Sequence, residues 1–140
     1  MDPLDFLDIA NKLKSSPEES ERRTSVSRAY YGLFNHVAAI FRTNSILIPR
    51  DASGHAKVVR YLRNCEVEKA ESVGSSIDDL RGERNNADYK MELTRFNANT
   101  CNLLHLKAIE ALEALRTIKV KDIIAGVRRY LAKIGELPSS

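Results

Sequence analysis

Apolar side chains recur along most of this chain at steps of three and four residues, the spacing that keeps them on one face of an α-helix. Two stripes are clearest: Val26, Ala29, Tyr30, Leu33, Val37, Ile40 and Phe41, and Val120, Ile123, Ile124, Val127, Leu131 and Ile134. The pattern predicts helices near residues 3–13, 17–42, 55–62, 67–89, 97–115 and 120–134. The one β-like run, Ser45–Pro49, is short and ends in a proline. These elements predict an all-α, up-and-down helical bundle with four to five main helices plus a short one.

Several residues mark the expected ends of these helices. Asp2 before Pro3 is typical of a cap followed by the first helical residue. Ser16 is the predicted N-cap of the second helix, and Glu19 would complete a capping box with it. Gly135 is expected to end the last helix.

The length and composition indicate one globular domain. The chain has 140 residues, of which 43% are hydrophobic and 29% charged. We place a single domain at residues 1–136 and a frayed tail at 137–140. No apolar run approaches the ~18–20 residues that a membrane span needs, and the acidic, amphipathic start does not resemble a signal peptide. We therefore expect a cytoplasmic protein without a membrane partner.

The cysteines and histidines give no indication of a metal site. Cys65 and Cys101 do not form a CxxC motif, and the three histidines are scattered along the chain. In a cytoplasmic protein the two cysteines are best interpreted as reduced thiols. We expect no metal and no cofactor.

Basic residues are concentrated in two segments, although the formal net charge is only +3. Residues 42–63 carry five arginines and lysines against one carboxylate, and residues 119–133 carry the same balance. Such segments are either ordinary solvated helix faces or parts of a surface that attracts phosphate. Composition alone leaves both interpretations open.

The fourth predicted helix contains an interrupted apolar stripe. The stripe begins with four apolar residues, Ala70, Val73, Ile77 and Leu80. Continued at the same spacing, it reaches Arg81, Arg84 and Asp88, which all project within 40° of the direction of Ala70. Arg84 and Asp88 are four residues apart, within reach of an intrahelical ion pair. Because a buried charge is costly unless paired, this cluster is either a structural ion-pair network or the floor of a polar groove.

A second polar face lies on the second predicted helix, opposite its apolar stripe. This face carries Arg28, Tyr31, Asn35 and Arg42. A merely solvated helix rarely places a tyrosine there, so the face is a candidate partner surface or base-stacking platform.

Three blocks of this sequence resemble the HEPN domain family. Ser27–Tyr31 (SRAYY), with Phe34 and Ala38 beyond it, is similar to the R-A-Y-Y-x-x-F segment of the family's long helix. Gly54–Val58 (GHAKV) resembles the histidine-led short helix that follows in many members. Leu80–Tyr89 (LRGERNNADY) is similar to the L-x-x-x-R-x-x-A-D-Y segment. The blocks occur in the family's order, and the resemblance covers roughly residues 4–116.

The resemblance implies a helical bundle that dimerises about its second and fourth helices. Many members are metal-independent endoribonucleases of toxin–antitoxin, antiviral and CRISPR systems. Their motif is an arginine, usually followed by a polar residue, and then a histidine after four to six intervening positions. Across the dimer, the arginines and histidines form one composite cleft, in which imidazole moves protons and guanidinium stabilises the phosphorane charge.

This chain departs from the family motif at its histidine. Arg84 and Asn85 match the start, but the positions where histidine is expected hold Tyr89, Lys90 and Met91. Arg84, Asp88 and Tyr89 are therefore the candidate catalytic residues of this segment. The two substitutes ordinarily titrate far from neutrality, so catalysis by either would need a large pKa shift.

The histidines of this chain lie in other segments. Arg50 and His55 have the motif spacing, but they lie in the block of the short helix, and we interpret the pair as coincidental. His36 and His105 lie at the edges of apolar stripes, where a hydrogen-bonded core-edge histidine is the more common role.

Three hypotheses follow for function. In the first, a homodimeric HEPN protein of a prokaryotic defence or toxin–antitoxin system binds RNA or nucleotide through Arg28, Tyr31, Asn35, His55, Arg81, Arg84 and Asn85. In the second, the same cleft cuts RNA without a metal, with His36 or His55 reaching it from another helix or subunit. In the third, the chain is a non-catalytic adaptor in which the polar cluster fixes dimer register. Its partner would then be a nucleotidyltransferase antitoxin or a larger effector subunit.

Overall fold

The computed structural model describes residues 1–136, and it contains six helices and no strand within that range. The helices are α1 (Asp5–Leu13), α2 (Glu19–Thr43), α3 (Ser53–Arg63), α4 (Glu68–Tyr89), α5 (Ala98–Arg116) and α6 (Val120–Lys133). The predicted all-α helical bundle is confirmed, and each helix lies within a few residues of its predicted bounds. The tail predicted at 137–140 lies outside the described residues.

The longest helix, α2, is the centre of the bundle. It packs against α1, α4 and α5, while α3 packs on α4 and α6 lies against α3. Its apolar stripe supplies the large, fully buried side chains Tyr30, Leu33 and Phe41. Because α2 and α4 pack directly together, the polar residues at the edge of their shared core are brought close to one another.

The close packing of α6 depends on a glycine. A Cβ atom at Gly126 would lie 1.7 Å from the carbonyl oxygen of Cys65, so no larger residue fits without movement of the backbone. This contact ties α6 to the segment between α3 and α4. Cys65 and Cys101 are both buried free thiols, and burial raises the pKa of each above its ordinary value.

The starts of the first two helices differ in detail from the prediction. The Asp2 carboxylate accepts a hydrogen bond from the Leu4 amide at 2.9 Å, and α1 begins only at Asp5. Ser16 accepts from the Glu18 amide at 3.1 Å, but its hydroxyl donates to Glu21. The predicted capping box with Glu19 is therefore wrong. The serine closes a turn two residues before the N-cap position, which is Glu18.

The β-like run at residues 45–49 forms an extended loop between α2 and α3. Ile46 and Ile48 are buried, whereas Leu47 between them is 78% exposed. This alternation of buried and exposed side chains is the period of two of an extended backbone. The loop covers the end of α2, where the Ile46 amide donates to the Phe41 carbonyl at 2.9 Å. None of the six described helices combines the length and the apolar character that crossing a lipid bilayer requires.

Candidate functional site: an arginine cluster between α2, α3 and α4

Arg84 lies on the inward side of α4, and its side chain is only 19% exposed. Its Nε atom is 3.0 Å from a carboxylate oxygen of Asp88. One of its terminal nitrogens donates to the side-chain oxygen of Asn85 at 2.8 Å. The interrupted stripe of α4 therefore turns a guanidinium group towards the bundle, as its spacing predicts.

Two arginines from different helices meet at the ring of Tyr31. The guanidinium carbon of Arg84 is 5.0 Å from the ring centroid, and that of Arg28 is 5.3 Å from it. Arg28 also lies 4.7 Å from the ring of Phe6 on α1. Both distances to Tyr31 fall within the range of cation–π attraction, which holds two like charges close to one aromatic ring.

His55, at the start of α3, completes this group. Its Nδ1 shares a hydrogen bond with the hydroxyl of Tyr30, and its ring stacks on Phe34 with the centroids 4.3 Å apart. Burial lowers the pKa of His55 below its ordinary value of 6.5, and the charges of Arg81 and Arg84 lower it further. The imidazole is therefore neutral near pH 7, with one ring nitrogen engaged by Tyr30.

Tyr30 is itself held in its protonated form. Burial raises the pKa of its phenol well above the ordinary value of 10, although the charges of Arg81 and Arg84 act in the opposite direction. The two arginines thus act electrostatically on both members of the Tyr30–His55 pair. We call Arg28, Tyr31, His55, Arg81 and Arg84 the arginine cluster.

The cluster has an excess of positive charge. Arg84 is paired with Asp88, but neither Arg28 nor Arg81 lies within 4.0 Å of a carboxylate in residues 1–136. Some arginines on the outer faces of the bundle do have carboxylate partners, as in the pairs Arg63–Asp78 and Arg129–Glu66. The unpaired guanidinium groups leave hydrogen-bond donors available for an anion.

The structure brings most of the predicted site residues together. Arg28, Tyr31, His55 and Arg81 lie in the cluster with Arg84, and Asn85 and Asp88 contact Arg84 directly. Tyr89 is 71% exposed, with its ring 5.5 Å from the Arg84 guanidinium. Asn35 instead lines a separate cavity further along α2.

The other two histidines have different surroundings. His105 is 8% exposed, and burial lowers its pKa. Burial also lowers the pKa of His36, whose charged neighbours are Asp2 and Arg116 rather than the cluster arginines. Both lie in the core or at its edge, as predicted, but the buried Nδ1 of His105 has no hydrogen-bond partner among the described residues, so the predicted hydrogen bond is absent there.

Sequence reasoning missed the role of Tyr30, which it assigned to the apolar stripe. The ring is indeed buried, but its hydroxyl needs a hydrogen-bond partner, and that partner is His55. The signal available in the sequence was a tyrosine, rather than a phenylalanine, at a core position. In the described part of the chain, no group of three or more His, Cys, Asp or Glu side chains is arranged to hold a metal ion.

Comparison of the chain with protein-family models, with curated proteins and with solved structures gives no match. The likeness to HEPN domains therefore rests on the three sequence blocks and stays a prediction.

Proposed function

We propose that this chain binds single-stranded RNA or a nucleotide through phosphate contacts at the arginine cluster. In this proposal the chain acts as a homodimeric HEPN-type protein of a prokaryotic defence or toxin–antitoxin system. The observation that supports the binding function is the meeting of Arg28 and Arg84 at the ring of Tyr31, with Arg81 near enough to lower the pKa of His55 and Asp88 as the single paired carboxylate of the cluster.

The chemistry of these side chains suits a phosphate with a base beside it. Guanidinium groups offer forked donors that match phosphate oxygens, and they remain charged at any physiological pH. Tyr31 and the exposed ring of Tyr89 offer surfaces on which bases stack without regard to sequence. Half-burial of Arg84 lowers the local dielectric, which strengthens its attraction for phosphate relative to a fully solvated arginine.

Salt dependence tests this function. Anisotropy of a labelled single-stranded RNA should show binding at low salt, with log affinity falling linearly with log salt concentration. Each phosphate contact contributes a slope of about −0.7 for a single strand, so contacts to the three cluster arginines predict a slope near −2. Absence of binding to both RNA and nucleotides at low salt would exclude the proposal.

A second candidate function, metal-independent RNA cleavage, is favoured by the position of His55. If Nδ1–H donates to the Tyr30 oxygen, Nε2 is free to accept the proton of a ribose 2′-hydroxyl. The 2′-oxygen would then attack the adjacent phosphorus, and the bond to the 5′-oxygen would break as that oxygen takes up a proton. Arg81 and Arg84 would stabilise the phosphorane charge. The products would be a 2′,3′-cyclic phosphate and a 5′-hydroxyl.

Cleavage predicts a defined set of mutant outcomes. Incubation of total tRNA with the protein in EDTA should yield fragments, and His55→Gln should reduce the rate by about 10²-fold or more, the usual contribution of a general base. His36→Gln is the matched control, because that histidine lies outside the cluster. Arg81→Gln removes a cation that lowers the His55 pKa, so the acidic limb of the pH–rate profile should move to higher pH. Intact tRNA would exclude cleavage, and equal loss in both histidine variants would exclude His55 as its general base.

A further inference from the structure

A cavity of about 410 Å³ lies beside the arginine cluster, between the start of α1, the second half of α2 and the loop before α3. Its lining includes Phe6, Asn35, Arg42, Thr43 and Arg50. None of its lining residues within the described range is acidic. An open cavity with two guanidinium groups and no carboxylate in its lining can receive an anion.

The two arginines of this cavity are close enough to influence each other. Burial lowers the pKa of Arg42 from its ordinary value, and the charge of Arg50 lowers it further. Neither has a carboxylate within 4.0 Å in residues 1–136. The nearest acidic residue in sequence, Asp51, instead accepts hydrogen bonds from the amide and hydroxyl of Ser53 at the start of α3.

The cavity and the arginine cluster lie on one continuous face of α2. At 100° per residue, Arg28, Tyr31, Asn35 and Arg42 project within about 60° of one another. Phe6 joins the two regions, because its ring lies 4.7 Å from the Arg28 guanidinium and also lines the cavity. A continuous run of polar and aromatic side chains therefore leads from Arg84 and Tyr31, through Arg28 and Phe6, to the cavity.

The length of this face favours a longer single strand over a mononucleotide. Arg28 and Arg42 are fourteen residues apart on one helix, which corresponds to about 21 Å at 1.5 Å per residue. A mononucleotide is too short to contact both ends. Single-strand binding sites begin at about four nucleotides and combine a basic track with aromatic stacking.

We propose that Arg42 and Arg50 form a second phosphate subsite, so that the ligand is an extended single-stranded RNA of about four nucleotides or more rather than a mononucleotide. This inference rests on the proposed function of the arginine cluster. One strand would place a phosphate at Arg81 and Arg84, follow the polar face of α2, and place another at the cavity.

Oligonucleotide length and a double variant test the subsite together. Wild-type protein should bind a labelled octanucleotide at least about tenfold more tightly than a labelled dinucleotide. Arg42→Gln with Arg50→Gln should weaken octanucleotide binding about tenfold and reduce the steepness of the salt dependence by about 1.4, or 0.7 for each lost contact. Dinucleotide binding should change by less than about twofold, since a dinucleotide needs only the arginine cluster.

Lys119→Gln with Lys121→Gln is the matched control. It removes the same charge from exposed positions that do not line the cavity. Because Arg42 donates from Nε to the Ile48 carbonyl at 3.1 Å, its loss could disturb the loop. Two further variants separate a lost phosphate contact from a disturbed loop. Arg50→Gln alone removes an exposed charge and leaves Arg42 in place, and Arg42→Lys keeps the positive charge at residue 42.

The outcomes distinguish this inference from the function on which it rests. Equal affinity for both lengths, or a cavity variant that behaves like the lysine control, would overturn the subsite while leaving phosphate binding at the arginine cluster intact. Failure of wild-type protein to bind either oligonucleotide would overturn the proposed function, and the subsite with it.

Discussion

An Arg84→Ala variant is expected to lose about tenfold to a hundredfold in affinity for single-stranded RNA. A hydrogen bond to a charged group contributes about 1.5–3 kcal/mol, which corresponds to this range. Removing the guanidinium also leaves the Asp88 carboxylate without its partner at 3.0 Å, so that a bare negative charge faces the phosphate. Anisotropy titrations at one fixed salt concentration would measure the loss.

Two further variants make this prediction specific. Arg129→Ala removes an equal charge from an ion pair with Glu66 that is more than half exposed, and its effect should stay within about twofold. Asp88→Asn combined with Arg84→Ala should recover part of the lost affinity, because it removes the unpaired carboxylate. Unchanged RNA affinity with a changed oligomeric state would instead support the adaptor hypothesis.

The helices could be predicted from the sequence because their signal is local. Each apolar stripe repeats within one segment, and the four predicted apolar residues of α4 up to Leu80 are all buried, together with Gly74. The interruption of that stripe was equally visible, and Arg84 is half-buried where the spacing placed it. Periodicity gives the direction of a side chain on its own helix, and this direction was enough to predict that Arg84 faces the bundle.

The partners of those side chains could not be predicted, because they come from other helices. The sequence spacing linked His55 only to Arg50, a pair that we interpreted as coincidental. The structure instead places His55 within the electrostatic influence of Arg81 and Arg84, and bonds it to Tyr30. These contacts depend on how α2, α3 and α4 pack, which no pattern within one helix records.

Arg23 is a second example of a role that the sequence does not reveal. Beside Arg22 it resembles an ordinary surface arginine near the start of α2, yet it is only 6% exposed. Its terminal nitrogens donate to the carbonyls of Ala87 at 2.9 Å and Lys90 at 3.1 Å, and also to Leu93. It therefore caps the end of α4, where helix carbonyls lack partners and the macrodipole favours a cation.

An Arg23→Ala variant is expected to lower the free energy of unfolding by about 3 kcal/mol, because several carbonyls lose a charged donor and each hydrogen bond to a charged group contributes about 1.5–3 kcal/mol. The carbonyls at the end of α4 would lose their donor, and the guanidinium contact with the Phe96 ring, 5.0 Å away, would also be lost. Urea denaturation followed by circular dichroism would measure the change. Hydrogen exchange should locate the lost protection at residues 84–91.

The same variant connects stability to the proposed site, because Arg84 and Asp88 lie in the last turns of α4 that Arg23 caps. Its RNA affinity should therefore fall even under conditions where the protein is fully folded. Arg23→Lys keeps the charge but replaces the broad guanidinium fork with a compact ammonium that has fewer donors, so its destabilisation should be intermediate. Arg129→Ala, from a half-exposed ion pair, should change stability by less than about 1 kcal/mol. If Arg23→Ala were no more destabilising than Arg129→Ala, its assignment as the cap of α4 would be wrong.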